Sequence, residues 1–471
     1  MRAADPQISF ADLEFLSQGI HLDPVLEQIL ELVTRNAALV ETVRQQLDDG
    51  LKEPQTGRRG LTAEQTILSL ILMRVKNWDY RELAERIADG YTLRQFTRFH
   101  SNPVPKHDAF HRAHNRLTPA LVERINDLVI QAAVAAKLED GNALRVDSTV
   151  VETNIHWPTD ATLLWDAVRV LTRLIGRLRE IAAKDMPQFP NRIRSARRRM
   201  QKLQRMTAAQ RESQQVSTYR QLLAITQEVL CNARLSVDAT ARSGGKNRAL
   251  ALVIETLRKE ISGICRLADQ VVDQARRRVL YGEHVPTGDK IYSIFEPHTD
   301  LIKRGKTNKP IEFGHKVFLA ESAHGLITQY RVLEGNPSDE NHVSTSLDNH
   351  RSLFGSAPQT YATDRGFYNS FNEKVCRDAG VTSPSIPQRG GQKTPERAAT
   401  EKTPVFKQAQ RFRAGIEGTI SVLLRGRGMR RCLGRGKQRF ELLIGAVVLT
   451  NNLMRIARLL IDKKKPRSRA A

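Results

Sequence analysis

At 471 residues the chain is longer than one hydrophobic core usually organises, so two or three domains are expected. Apolar residues make up 40%, enough for real cores, while 74 Lys and Arg against 51 Asp and Glu leave a formal charge of +23 and point to a polyanionic partner. The most apolar stretch, 440–461, is interrupted by Asn451, Asn452 and Arg455, which speaks against a membrane span, and the isolated Cys231, Cys265, Cys376 and Cys432 speak against structural zinc and a disulfide framework.

The first elements read as helices. Asp23 and Pro24 form an N-cap and an N1 proline ahead of Val25, Ile29, Leu32 and Val33 at helical spacing. Thr62 and Gln65 form a capping box before Ile67, Leu68, Ile71, Leu72 and Val75. Residues 80–87, the turn Asp89-Gly90, a short segment 93–99 and a basic amphipathic stretch 106–117 follow, so short helices and tight turns over 1–140 suggest an all-α, helix-turn-helix-like DNA-binding domain. His107, His111 and His114 share one helix face there. Two readings are open, a metal site or a polar DNA-facing surface with Lys106, Arg112 and Arg116, and the lack of a fourth ligand favours the second.

From Leu144 the period changes. Leu144, Val146, Val150 and Val151 sit among polar residues in a β-branched run that carries Asp147. Helical periodicity returns over 160–278, with Leu164, Val168, Leu171, Ile175 and Leu178 as one stripe, and a helical insertion is expected over 161–284. Within it 192–211 holds Arg192, Arg194, Arg197, Arg198, Arg199, Lys202, Arg205 and Arg211 and no acid; such a one-signed run repels itself unless a polyanion screens it, although a solvated helix face has the same composition.

Strands are expected at 290–295 and 314–322, the latter paired through His324-Gly325 with 326–334. A helix over 338–354, a strand 359–363 ending on Asp364, a helix 370–379 and an extended stretch 381–386 come next. Residues 390–403 read as a loop, 405–424 and 440–461 as helices, and 463–471 as a basic tail. Glu417, flanked by Gly415 and Gly418, lies on the first of these two helices. The loop after it carries Arg425, Arg427, Arg430, Arg431, Arg435, Lys437 and Arg439 among four glycines and no acid; guanidinium forks bind phosphate bidentately, so this loop is either a phosphate clamp or a solvated linker.

Three carboxylates thus stand in the order strand, strand end, helix. Phosphodiester cleavage by two metal ions needs such oxygen ligands converging on one point. Singly, Asp147 and Asp364 also read as turn aspartates and Glu417 as half of an i, i+4 pair with Arg413.

The run Leu-Arg-Val-Asp147-Ser-Thr-Val-Val-Glu-Thr-Asn-Ile-His-Trp-Pro-Thr-Asp160 resembles the first-aspartate region of bacterial insertion-sequence DDE transposases, particularly the ISNCY group. Tyr-Ala-Thr-Asp364-Arg-Gly-Phe-Tyr resembles their second-aspartate motif, and Gly-Ile-Glu417-Gly-Thr-Ile-Ser, with Arg413 four residues earlier, is similar to their third-acid helix. Relatives often carry a tyrosine three residues before that arginine and a basic residue about seven after the glutamate; here the positions hold Gln410 and Leu424, with Arg425 next.

The resemblance implies an α/β fold in which an RNase H-like catalytic core, a mixed sheet with flanking helices over 141–160 and 285–462, is interrupted by the helical insertion. Asp147, Asp364 and Glu417 would be the catalytic residues and the ligands of two Mg²⁺ ions, with Mn²⁺ as a substitute. Expected partners are double-stranded DNA, as element ends and as target, and further copies of the chain on that DNA, in a cytoplasmic, nucleoid-associated protein. A metal-dependent endonuclease that does not join strands, and a non-catalytic DNA-binding repressor, are the competing readings.

Overall fold

The computed structural model describes residues 10–464 apart from 54–55, 57–59, 183, 185, 242, 244–246 and 304–309; most of the basic tail lies outside the described residues. The chain forms two compact units. One runs up to Glu152 and resumes at His315, and the other is Thr153–Gly314.

The first unit begins with helices α1 (Phe10–Ser17), α2 (Pro24–Arg35), α3 (Ala37–Asp48), α4 (Ala63–Lys76), α5 (Tyr80–Asp89), α6 (Tyr91–Phe96), α7 (His107–His114) and α8 (Pro119–Ala135). Local chemistry sets their ends. Asp23 accepts from the Val25 and Leu26 amides, and the Thr62 and Gln65 capping box closes in both directions at 3.1 and 3.0 Å. Asn77, left-handed at φ 55°, stops α4.

Strand β1 (Ala143–Thr153) follows. After the second unit come β3 (Ile311–Ser322), which starts in that unit, β4 (Ile327–Val332), α13 (Val343–Phe354), β5 (Thr360–Ala362), α14 (Ser370–Asp378), β6 (Ser383–Ser385), α15 (Pro395–Lys402), α16 (Pro404–Ser421), β7 (Arg431–Cys432) and α17 (Lys437–Lys464). Between β1 and β3 lie α9 (Asp160–Ala182), α10 (Ile193–Arg205), α11 (Ala208–Ala239), α12 (Arg248–Ala275) and β2 (Asp300–Lys303). In the first unit the sheet order is β4-β3-β1-β5-β6, with β7 also on β1. β3 and β4 are antiparallel, whereas β1, β5 and β6 run parallel with Leu144 beside Tyr361 and Tyr361 beside Pro384. This is the expected mixed sheet with flanking helices.

Residues 1–152 form one compact unit together with 315–471. Helix α17 lies against α2, α4 and α8, and its Ala446, Leu449, Leu453 and Ile456 share one core with Ile29, Leu68, Ile71 and Ile125. By length and composition α17 is apolar enough to cross a membrane, but 67% of its most apolar window is buried inside the protein. Asn452, which interrupts its apolar run, is buried and fully used: Nδ2 donates to Asn126 Oδ1 and Ile327 O, and Oδ1 accepts from Ile327 N, each at 2.8 Å.

The second unit has its own core, built on the expected stripe Leu164, Val168, Leu171, Ile175 and Leu178. Helix α10 buries Ala196, Met200 and Leu203, an i, i+4, i+7 face, and exposes Arg194, Arg197, Arg198 and Arg205. No strand forms at 290–295, because the Gln274 amide bonds both N–H and C=O of Ile291 in place of a neighbouring strand. The strand of this region is β2, paired with the start of β3. The expected loop 390–403 is also corrected. It contains α15, capped by Thr394 and opened by Pro395, with Arg397 and Glu401 paired one turn apart.

Candidate active site

Asp147 is on β1, Asp364 follows β5, and Glu417 is on α16. Parallel pairing brings β1 and β5 side by side, so the sheet itself makes the two aspartates neighbours. Asp364 leaves the strand as the cap of a short 3₁₀ turn, its Oδ1 accepting the Gly366 amide at 2.8 Å. Asp147 Oδ1 accepts the amide of Ser148 at 2.7 Å.

Helix α16 is held against the sheet by a buried ion pair. Arg145 Nε donates to Glu321 Oε2 at 2.9 Å and its Nη2 lies 2.8 Å from Oε1, while Nη1 donates to the carbonyl of Phe412 and the guanidinium stands 4.9 Å from the Phe412 ring centroid. Thr419 Oγ1 donates to Glu321 from two turns further along. Glu321 sits where the β3–β4 register shifts, a bulge that re-aims a side chain. Gln410 donates from Nε2 to Thr363 O and to Ser385 O and Oγ, tying α16 to the residue next to Asp364.

These contacts place Arg413 among the three carboxylates. Its Nη2 is 2.8 Å from Asp147 Oδ2 and 3.8 Å from Asp364 Oδ2, and its Nη1 is 2.9 Å from Glu417 Oε1. The side chains differ in exposure, 14% for Asp147, 40% for Asp364 and 65% for Glu417, so two acids face solvent across a buried third. Burial pushes the Asp147 carboxyl up to about 6, with Asp364 and Asp339 adding to the rise while Arg413 and the Ser148 amide oppose it. The three carboxylates meet on the Arg413 guanidinium and not at ligand distance of one another, and an all-oxygen set with no soft ligand is the donor chemistry of a hard divalent cation.

Asp339 is the residue that sequence reasoning missed here. It opens the turn before α13, accepts from Ser148 Oγ at 2.8 Å and lies 3.2 Å from Lys316 Nζ. A separate acidic group, Glu139, Asp140 and His324, has ligand atoms within 4.8 Å of one another, but Glu139 is already bonded to Ser322 and to the amides of Asp140 and Gly141. It belongs to the turn before β1 and not to the Asp147 site.

The cationic residues expected to meet DNA divide into two sets. Lys106, Arg112, Arg197, Arg198, Arg425 and Arg430 are exposed. The others have protein partners: Arg116 donates to Asp49 O, Arg199 to Ser195 Oγ, and Arg431 to Glu152, while Arg413 is held by the carboxylates. Arg427 is buried and donates to Val75 O in the last turn of α4, so it is a helix cap inside the unit, contrary to its expected place on a clamp surface. The histidine row also breaks up. His114 is buried against Ser69 and pushed down to about 3 by burial and then by Arg74, His111 stacks edgewise on Tyr80, and the three do not gather at ligand distance.

Residues 382–457 match a family model described as a transposase DDE domain. The matched stretch contains Arg413, Glu417 and the Arg- and Gly-rich loop, and Asp147 and Asp364 precede it. No curated protein and no solved structure matches the chain.

Proposed function

We propose, for a chain whose residues 382–457 match a transposase DDE domain, that it cuts the ends of a mobile DNA element and joins the freed 3′ ends to target DNA. The observation that carries this reading is the meeting of Asp147, Asp364 and Glu417 around one guanidinium, from two parallel strands and a packed helix. The placement in the ISNCY-like group is part of the proposal and rests on the motifs around those residues.

Asp147, Asp364 and Glu417 would hold two Mg²⁺ ions, or Mn²⁺, which when bound supply charge neutralisation and Lewis acidity at the phosphodiester. The chain's own contribution is placement. Asp147 is fixed by its strand and by the Ser148 amide, and Asp364 by the Gly366 amide. Glu417 approaches from a helix whose position is set by Arg145 and Gln410. Arg413 has a planar fork that suits phosphate as well as carboxylate, so once cations neutralise the acids it is placed to take up the DNA backbone. Hydrolysis at the element end frees a 3′ hydroxyl, and attack of that hydroxyl on a target phosphodiester releases a target 3′ oxygen and completes the exchange.

Double-stranded DNA binding falls to the exposed Lys106 and Arg112 beside the N-terminal helices, to Arg197 and Arg198 on α10, and to Arg425 and Arg430 after α16. The protein acts as a homodimer or larger assembly on DNA, in the cytoplasm at the nucleoid. The test is incubation of purified protein with terminal-repeat DNA and Mg²⁺, with cleavage and joining products mapped at nucleotide resolution. Cuts without joints would replace this reading by a nuclease, and binding without cuts by a repressor.

A further inference from the structure

The three acids of the proposed site do not exhaust its carboxylates. Asp339 is 20% exposed and both of its polar contacts fall on the same oxygen, Oδ1, which accepts from Ser148 Oγ at 2.8 Å and lies 3.2 Å from Lys316 Nζ. The other oxygen, Oδ2, lies beside the Gly366 backbone. A Cβ on Gly366 would stand 3.0 Å from Asp364 Oδ1 and 3.3 Å from Asp339 Oδ2, so these two carboxylates flank one glycine that has no side chain to part them. Ser148 joins the remaining pair, its amide on Asp147 and its hydroxyl on Asp339. Asp339 is thus a neighbour of both aspartates of the triad.

Lys316 decides how that carboxylate is held. Its Nζ also donates to Pro337 O at 2.9 Å, so the ammonium is anchored to the turn that carries Asp339 and neutralises it there. A fourth carboxylate so close to two others is costly unless cations share it. The protein supplies one cation on each side: Lys316 for Asp339, and Arg413 for the triad.

We infer that Asp339 is a fourth ligand of the cation site, contributing Oδ2 to an ion shared with Asp364 and Asp147, with Lys316 as a positioning residue that restrains Asp339 and competes with the ion. This rests on the triad reading above and adds a residue to it. The competition separates a ligand from a purely structural ion pair, because removing Lys316 should then strengthen cation binding.

The experiment titrates Mn²⁺ alone into the full chain, without DNA, by calorimetry and by the loss of the free-ion electron paramagnetic resonance signal, with folding checked by circular dichroism. Asp339→Asn should weaken Mn²⁺ binding about tenfold or more. Lys316→Met should tighten it, and the gain should vanish when Lys316→Met is combined with Asp339→Asn. Wild-type affinity in Asp339→Asn alongside a loss in Asp364→Asn would overturn the role of Asp339 and leave the triad standing. Unchanged affinity in both single variants would overturn the triad reading as well. Should Asp339→Asn fail to fold, Lys316→Met alone decides: unchanged or weaker Mn²⁺ binding overturns the inference.

Discussion

Gly415 of α16 lies directly against the guanidinium of Arg145 on β1, in space that any side chain at position 415 would claim. The guanidinium cannot swing aside, since Glu321 grips it at two atoms and Phe412 O takes a third bond. The closeness of helix to strand is what carries Arg413 and Glu417 to Asp147.

Gly415→Ala should therefore destabilise the protein by about 1–3 kcal/mol, as overpacking does, and displace α16. A displacement of about 1 Å at the reacting groups lowers rates on the order of 10²-fold. Glu321→Gln leaves the Arg145 charge buried without a counter-charge and should cost about 3–5 kcal/mol. Denaturant titrations and cleavage assays check both, and a Gly415→Ala protein with wild-type stability and rate contradicts the packing argument.

Asp147→Asn, Asp364→Asn and Glu417→Gln keep shape and lose charge. Each should abolish cleavage while terminal-DNA affinity stays near wild type, because the exposed basic surface is intact. Gel-shift and cleavage measurements on the same preparations are the check. A folded variant that cuts at the wild-type rate removes that residue from the triad.

The Arg- and Gly-rich loop should separate into two behaviours. Changing Arg425 and Arg430 together to Gln should weaken binding equally for all DNA sequences and reduce the salt dependence of log K by about one for each phosphate no longer neutralised. Arg427→Gln should act on stability instead, costing about 1.5–3 kcal/mol, because a charge-assisted bond to Val75 O disappears from the end of α4. Salt-dependent binding isotherms set beside thermal melts distinguish them.

Two fragments test the division of the chain. Residues 1–140 lack α17, whose apolar face completes their core, so this fragment should show no cooperative melt. Residues 153–314 retain a full core and should melt cooperatively as a helical protein. A sharp transition in the first fragment, or none in the second, contradicts the assignment of cores.

What was legible in the sequence depended on distance along the chain. The Asp23 and Thr62 caps and the amphipathic stripe of α9 are decided within a few residues, and they formed as expected. Asp147, Asp364 and Glu417 stand out because motifs surround them. The partners that place them leave no local trace: Asp339 meets Ser148 across 191 positions, and Glu321 meets Arg145 across 176. Each of these acids looks in sequence like an ordinary turn or strand residue. Thr394-Pro395 is a readable cap and proline pair, hidden inside a polar stretch with the composition of a loop. The stretch 290–295 misleads for the opposite reason, its β-like pattern being satisfied by the Gln274 side chain.

The interruption of the first unit by Thr153–Gly314 also sets an order of events at the ribosome. At about 5–20 residues per second the intervening segment takes roughly ten to thirty seconds to synthesise, and for that time β1 is outside without β3 or β5 to pair with. The second unit carries its own core and is able to settle during this interval, whereas the β-branched strand bearing Asp147 waits as an open edge, a stage at which nascent chains self-associate and chaperones act. Because Glu417 lies on α16, downstream of β1, β3 and β5, a nascent chain that stops before it cannot bring that acid to Asp147, and fast, unattended overexpression should fail first by aggregation through the β1 strand.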